Sequence, residues 1–362
     1  MGHRHLSRRD LLKAMGVLGL ATQAPWLFAQ PRPRKRLGVA LVGLGSYASG
    51  QLAPGLQLTE HCYLAGIVTG SPEKIPQWQE RYQIPDSNVY NYDNMHRMAD
   101  NPAIDVVYIV VPTGLHAKYS IIGANAGKHV WCEKPMAMNV QECQAIIDAC
   151  NKNKVKLTIG YRMQHEPNTQ RIIQMASEKP YGRIEKVIAE AGYNNTRDSH
   201  GWRADASLGG GAMYDMGVYP LNAARYTTQE EPIAVTATME STRPLYKDVD
   251  ETTNFVLEFP SGAIAECATS YGKHMNRLRA ECERGWYELS PFQTYTGVKG
   301  RTSDGLIFAE SPGHQQARQM DNDALAIIND SPVLVPGEDG MRDIAILEAI
   351  FKAAKEGKRI TV

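Results

Sequence analysis

The sequence predicts an α/β fold: a doubly wound parallel sheet over residues 36–160, then an α+β part with an open, mostly antiparallel sheet. Three observations carry this expectation. Apolar runs of strand length alternate with helical stretches in the first part, and a glycine-rich turn closes the first run. After Tyr161, strand-like runs follow one another with turns but few helices between them.

The run Leu37–Val42 is continuously apolar, which suits a strand buried on both faces. It ends on Gly43-Leu44-Gly45-Ser46-Tyr47-Ala48, and a helix is expected from about Ala48 to Leu58. Cys62–Val68 reads as the second strand, followed by Thr69-Gly70-Ser71-Pro72 and another helical stretch. Asp105–Val111 is the clearest buried strand, and Lys128–Pro135 is a strand closed by proline. A helix over about 140–151 leads to a strand at Lys156–Gly160. In the second part, strands are expected at Lys186–Ala191, Ile233–Met239, Thr252–Phe259 and Ala263–Ser270, with a hairpin-like turn at 259–262. Helices are expected at Gln315–Ile328 and Met341–Glu356, the latter stopped by Gly357. The expected parts are residues 36–160, 161–335 and a C-terminal helix and tail at 336–362. A sheet face with so little helix to cover it calls for a partner, so a homodimer or homotetramer is expected.

The first residues read as something other than fold. Ser7-Arg8-Arg9-Asp10-Leu11-Leu12-Lys13 followed by an apolar run from Ala14 to Leu20 is a twin-arginine export pattern, too short to form a permanent membrane anchor. Residues 1–29 are read as that signal and 30–35 as a short Pro/Arg arm. The expected destination is the periplasm, reached already folded through the twin-arginine machinery. Lys+Arg and Asp+Glu are 39 each, which excludes the basic excess that a nucleic-acid partner would require. The six cysteines are Cys62, Cys132, Cys143, Cys150, Cys267 and Cys282. Cys143 and Cys150 would lie ~10 Å apart on a helix, too far to bridge. No cysteine pair has metal-ligand spacing with a histidine, so no metal is expected and most cysteines are read as small buried hydrophobes.

A glycine turn between a buried strand and a helix is the context in which such a motif binds a dinucleotide. Gly43 allows the tight turn, Gly45 lets the backbone approach a pyrophosphate, and Ala48 permits close helix–strand packing. The helix N-terminus, over Leu44, Ser46 and Tyr47, then offers N–H groups to the phosphates. In NAD sites the second strand usually ends in a carboxylate that binds the ribose hydroxyls. Here it ends in Thr69, Gly70 and Ser71 with Lys74 beyond, and Glu60 lies at the wrong end. Hydroxyls and a lysine can accept a 2′-phosphate, so NADP is expected over NAD, although Lys74 could equally be a solvated helix residue.

Two further segments carry a family pattern. Ala126–Pro135, with Glu133-Lys134-Pro135, and Gly209–Tyr219, with Asp215 and Tyr219, resemble the paired active-site motifs of the Gfo/Idh/MocA oxidoreductases. The resemblance runs from about Arg36 to the C-terminus. Many members have histidine where this chain has Tyr219. The tyrosine, the export pattern and Gly160-Tyr161-Arg162 make the chain most similar to the exported glucose–fructose oxidoreductase and aldose–aldose oxidoreductase branch. That resemblance implies a Rossmann dinucleotide domain, tightly bound NADP, and oxidation of an aldose to its lactone with reduction of a second sugar. It implies Lys134 as the active-site lysine, Asp215 as a substrate-orienting carboxylate and Tyr219 as acid/base. Independently, taking hydride from a sugar C1 needs a base for the hydroxyl proton and the reverse step needs an acid. A phenol beside an ammonium can do both, because the opposite charge favours the phenolate. Asp215 and Tyr219 are four apart and would share a helix face, but Pro220 means that this helix either starts late or kinks. Glu133 is expected to support the nicotinamide end or the lysine. Arg162, Trp202 and Arg203 are either sugar contacts or structural, and Tyr271 is a further substrate candidate. His116, four residues after Pro112, lines the nicotinamide pocket or packs a helix. In the exported relatives a longer proline-rich arm wraps a neighbouring subunit's cofactor, whereas only Gln30–Lys35 is available here. Alternatives within reach of the same residues are an NAD-dependent glycosidase, a conventional NAD(P)-dependent sugar dehydrogenase and a non-catalytic sugar-binding protein.

Overall fold

The computed structural model describes residues 36–196 and 201–362, so the export pattern around Arg8 and Arg9 and the arm at 30–35 lie outside the described residues. The apolar runs of the first part form six strands: β1 (Leu37–Val42), β2 (Cys62–Val68), β3 (Val89–Tyr90), β4 (Val106–Ile109), β5 (His129–Cys132) and β6 (Leu157–Ile159). They pair in parallel in the order β3-β2-β1-β4-β5-β6. The chain builds outward from β1 to one side and then resumes at β4 on the other. That reversal opens a crevice beyond the carboxyl ends of β1 and β4, the usual ligand position in such sheets.

Four helices connect these strands. A π-turn over Ala48–Leu52 runs into α1 (Ala53–Leu56), and α2 (Ile75–Tyr82), α3 (His116–Asn125) and α4 (Val140–Lys152) follow. Asn139 caps α4 by accepting from the Glu142 N–H at 2.8 Å. The sequence reading passes over α3, whose apolar residues follow no single helical stripe.

The second part contains α5 (Pro167–Glu178), β7 (Ile184–Gly192), α6 (Val218–Thr228), β8 (Ala234–Glu240), β9 (Thr252–Glu258), β10 (Ile264–Ser270), β11 (Met275–Cys282), β12 (Gly285–Leu289), β13 (Gly300–Thr302), β14 (Ile307–Phe308), α7 (Gln315–Ile328), α8 (Gly337–Glu356) and β15 (Ile360–Thr361). The strands form a nine-stranded sheet, β14-β13-β12-β11-β7-β10-β9-β8-β15. It is antiparallel except at its centre, where β7 and β10 run parallel. Strands β11 and β12 were not expected from sequence. Arg277, Arg279 and Glu281 alternate with only Leu278 and Ala280 on the core side, so the apolar signal of β11 is thin. The inner face of this sheet, including Val187, Phe255, Leu257 and Leu278, packs in one core with Ile172 of α5, Leu221 of α6 and Leu347 of α8.

The C-terminal segments serve both sheets. Met320 and Ala324 of α7 pack against Leu37, Val39 and Leu41 and cover one face of the first sheet. β15 pairs with β8 as the last strand of the second. The cysteines are free thiols, all buried except the half-buried Cys282. No described helix is long and apolar enough to cross a membrane.

Candidate active site

The crevice beyond β1 and β4 deepens into a cavity of ≈ 920 Å³ whose far wall comes from the second sheet. Gly43 opens it with φ +105°, a conformation that side-chain-bearing residues rarely adopt. A Cβ there would lie 2.5 Å from the Val110 carbonyl oxygen, so only glycine lets β1 turn beside β4. At Gly45 a Cβ would meet nothing within 4 Å, which leaves the backbone open to an incoming group. Gly43, Leu44, Gly45, Ser46 and Tyr47 all line the cavity. Ala48 does not: it is fully buried against the first-sheet core, the packing role that its small side chain permits.

The end of β2 forms the next wall with Thr69, Gly70, Ser71 and Lys74. The Thr69 hydroxyl accepts from the Ser71 N–H at 3.0 Å, so it shapes the loop, while Lys74 Nζ reaches back to the Leu44 carbonyl at 3.1 Å. Lys74 therefore bridges the two loops. Tyr92, which the sequence reading missed, closes this end: its ring would stand 3.0 Å from a Gly70 Cβ and stacks on Tyr119.

Opposite lie Val111, Pro112, Glu133, Lys134 and His116. His116 is buried with its ring nitrogens 2.8 Å from the Pro135 and Val111 carbonyls. Burial lowers its pKa to about 4 against the pull of the two carbonyls, which favour a ring N–H, and the ring ties the two loops together. Glu133 Oε1 accepts from the Tyr108 hydroxyl at 2.7 Å, and burial raises the Glu133 pKa. Gly160 makes room for this carboxylate, since a Cβ there would lie 2.7 Å from Oε1. Arg162 is buried between the rings of Tyr219 and Tyr295, at 5.6 and 4.8 Å. Its Nη1 donates to Thr294 O at 3.0 Å and to Gln315 Oε1, while Nε and Nη2 have no partner among the described residues.

The reactive end joins the two motif segments. The helix that carries Asp215 and Tyr219 begins with a π-turn over Met213–Gly217 and becomes α6 at Val218, which resolves the Pro220 question in favour of a late α-helical start. Lys134 Nζ donates to the Asp215 backbone carbonyl at 2.7 Å and lies 4.6 Å from the Tyr219 ring centroid. The Asp215 carboxylate is held through Oδ2 by Arg203 Nε at 2.7 Å, the Tyr271 hydroxyl at 3.0 Å and the Tyr193 hydroxyl at 3.3 Å. Burial pushes this carboxyl up, but the charges of Arg203 and Lys134 outweigh it and hold the pKa below its ordinary value. Arg203 stacks on Trp202 at 4.5 Å, and both line the cavity.

Tyr271 requires correction. It is fully buried, lies outside the cavity lining and turns its hydroxyl to Gly211 O and Asp215, so it positions Asp215 from behind the wall. The sequence reading also missed Tyr193, His274, Asn276, Gln293, Thr294 and Tyr295, which line the far wall. These come from the ends of β7 and β11 and the connection after β12, so only long-range strand pairing brings them to the site.

A glycine cradle at the switch point, facing a lysine–tyrosine pair, defines a dinucleotide-binding oxidoreductase. Residues 37–161 match the model for the oxidoreductase family with NAD-binding Rossmann fold, and residues 169–288 match the GFO/IDH/MocA C-terminal domain. The crystal structure of an aldose–aldose oxidoreductase from Caulobacter crescentus complexed with glycerol is 38% identical, with a TM-score of 0.87 over 91% of this chain and 100% of that chain. A D-xylose 1-dehydrogenase (NADP+) from Haloarcula marismortui is 26% identical over 329 residues, 87% of this chain and 90% of that protein. A levoglucosan dehydrogenase solved with NADH and levoglucosan shares the fold at 20% identity, TM-score 0.78, over 91% and 100% of the two chains. The chain belongs to the Gfo/Idh/MocA oxidoreductase family.

Proposed function

We propose that this protein oxidises an aldose to its lactone and reduces a second sugar on one retained NADP, after export to the periplasm. The observation that carries the reading is the Lys134 ammonium, fixed by the Asp215 carbonyl against the Tyr219 ring at the end of a dinucleotide-sized cavity. The aldose–aldose oxidoreductase relative at 38% identity supports the substrate class. The NADP-dependent xylose dehydrogenase, with Lys74 bridging to Leu44, supports NADP.

The residues present fit a dinucleotide. The open face at Gly45 accommodates a pyrophosphate approaching the backbone, and the buried, half-unpartnered Arg162 guanidinium offers donors further along the cavity. The cofactor, when bound, would supply the hydride acceptor and donor. Tyr219 takes the proton from the anomeric hydroxyl in the oxidation and returns one to the carbonyl oxygen of the second sugar. Lys134 stabilises the negative charge that develops on oxygen in both directions. Asp215, whose Oδ2 is taken by Arg203, Tyr193 and Tyr271, keeps Oδ1 to orient a sugar hydroxyl. Trp202 offers an aromatic wall for sugar C–H groups.

The export assignment rests on Arg8 and Arg9 and agrees with free, mostly buried thiols, which suit a chain folded before it meets an oxidising compartment. A homo-oligomer is proposed because the outer face of the second sheet, with Ile188, Thr236, Asn254, Val256 and Glu266, is uncovered among the described residues. A conventional NADP-linked sugar dehydrogenase is the second reading, favoured by the xylose dehydrogenase relative. The test is purification without added NADP, then glucose, then a second sugar. Bound nicotinamide should absorb at 340 nm after the first addition and lose that absorbance after the second. Protein purified empty, active only with free NADP, would establish the second reading instead.

A further inference from the structure

Nothing in the reading so far uses Tyr295, a large aromatic residue 43% exposed at the rim of the cavity. It belongs to the connection between β12 and β13, which reaches over the crevice from the second sheet. Both ends of that connection are tied down. Asn276 accepts from the Phe292 and Gln293 N–H groups at 2.9 and 2.7 Å and donates to the Gln293 carbonyl at 2.8 Å. Ser290 N–H donates to Lys299 O at 2.8 Å, and Phe292 and Val298 are buried. The base is thus fixed to β11 and the core, and the tip at 293–295 is held out over the cavity.

At that tip the Tyr295 ring makes two contacts that belong to the other side of the site. It stacks on Tyr47 of the glycine turn, with centroids 6.2 Å apart and planes inclined by 29°. It also lies 4.8 Å from the Arg162 guanidinium carbon, while Thr294 accepts from Arg162 Nη1. Tyr47 is itself supported from behind, its hydroxyl accepting from Gln316 Nε2 of α7 at 3.3 Å. The chain therefore touches itself across the mouth of the cavity, second-sheet connection against phosphate-binding turn. Both rings line the cavity, so the contact borders the space that a ligand would occupy.

We infer that Tyr295 is a cofactor-retaining residue: stacked on Tyr47, it forms a clasp that a dinucleotide must open both to enter and to leave. The inference rests on the reading that the cavity holds a dinucleotide. The ring's packing partners are Tyr47 of the glycine turn and Arg162, which itself lies between Tyr295 and Tyr219, so the clasp spans the cavity from the glycine turn towards its reactive end.

The test uses the full-length protein loaded with NADPH and chased with excess NADP+, with nicotinamide fluorescence reporting release and a separate mixing experiment reporting association. An aromatic stack and a guanidinium–ring contact are each worth roughly two- to tenfold or more. Tyr295→Ala should therefore speed NADPH release at least about tenfold, and should speed association as well because a gate has been removed. Tyr295→Phe keeps the ring and should stay within about threefold of the parent in both rates. Should Tyr295→Ala not fold, Tyr295→Leu, which keeps bulk without a π face, carries the same expectation. Release unchanged by loss of the ring overturns the clasp, and so does faster release with unchanged association, which would make Tyr295 a simple contact. Parent protein that binds no NADPH would instead overturn the cofactor reading beneath it.

Discussion

Behind Glu133 the hydrogen-bond chain continues inward through Tyr108 and Gln319 towards a buried pair whose titration makes a sharp prediction. Tyr108 donates to Glu133 and its hydroxyl also meets Gln319 Nε2 at 3.3 Å. One turn along α7, Asp323 Oδ1 lies 3.1 Å from the Thr158 hydroxyl and 4.0 Å from His165 Nε2. Burial raises the Asp323 carboxyl to about 7 and lowers the His165 imidazole to about 3. Between about pH 4 and 6.5 the folded pair therefore holds one proton, on the carboxyl. The unfolded chain also holds one, on the histidine. The proton count does not change on unfolding, so the pair adds no pH dependence in that window. Removing either partner exposes the other. In Asp323→Asn the folded state binds one proton fewer than the unfolded chain, so stability is lost as pH falls from 6.5 towards 4. In His165→Gln the folded state binds one more, so stability is lost as pH rises from 4 towards 7. Each slope is about 1.4 kcal/mol per pH unit, or about 2 kcal/mol across pH 4.5–6. Urea unfolding at closely spaced pH values, plotted as variant minus parent, should give two lines of opposite sign. Two flat difference lines would refute the paired-proton account.

Three other outcomes follow from the site. Lys134→Met and Tyr219→Phe should each lower turnover by about 10²–10⁴-fold, the usual range for lost proton-transfer groups, with the absorbance of bound cofactor retained. Lys74→Ala should cut the preference for NADP over NAD by roughly tenfold or more, as expected for loss of one charged hydrogen bond, with NAD affinity little changed in titrations. Pro220→Ala adds an N–H five residues beyond the Asp215 carbonyl, in π register to compete with Lys134 for it, so turnover should fall severalfold while thermal stability is kept or raised, measured by steady-state rates beside a melting curve.

What could be read in the sequence was what is local. The buried runs at Leu37–Val42 and Cys62–Val68 are strands because nothing polar interrupts them, and the structure returns the same bounds. Gly43 and the β2 end stood out through their strand–turn–helix context and Lys134, Asp215 and Tyr219 through the family resemblance, and all of them line the cavity. Tyr295, Asn276 and Gln293 were not, because they reach the cavity only through the pairing of β11 with β7 and β12. Trp202 and Arg203 were visible as candidates, but the Arg203–Asp215 pair depends on a π-turn that no residue pattern announced. Tyr271 was misplaced for a similar reason. A tyrosine at a strand end is compatible with cavity or core, and its side chain went to the core to hold Asp215.

Lys134 is held so that it forms no direct ion pair with either of the two carboxylates beside it. The Asp215 carboxylate lies within the same turn, yet its Oδ2 is satisfied by Arg203, Tyr193 and Tyr271. Glu133 spends Oε1 on Tyr108 and is driven towards its neutral form by burial. The partner left to the ammonium is a carbonyl dipole, that of Asp215. A neutral acceptor orients the ammonium without a direct ion pair, so its positive charge stays aimed at the Tyr219 ring and the cavity. Fixed charge of that kind, in place before substrate arrives, favours the negative charge that must appear on oxygen whichever way the proton moves. A site that oxidises one sugar and reduces the next needs such even-handedness, since the same groups must serve as base in one half-reaction and as acid in the other.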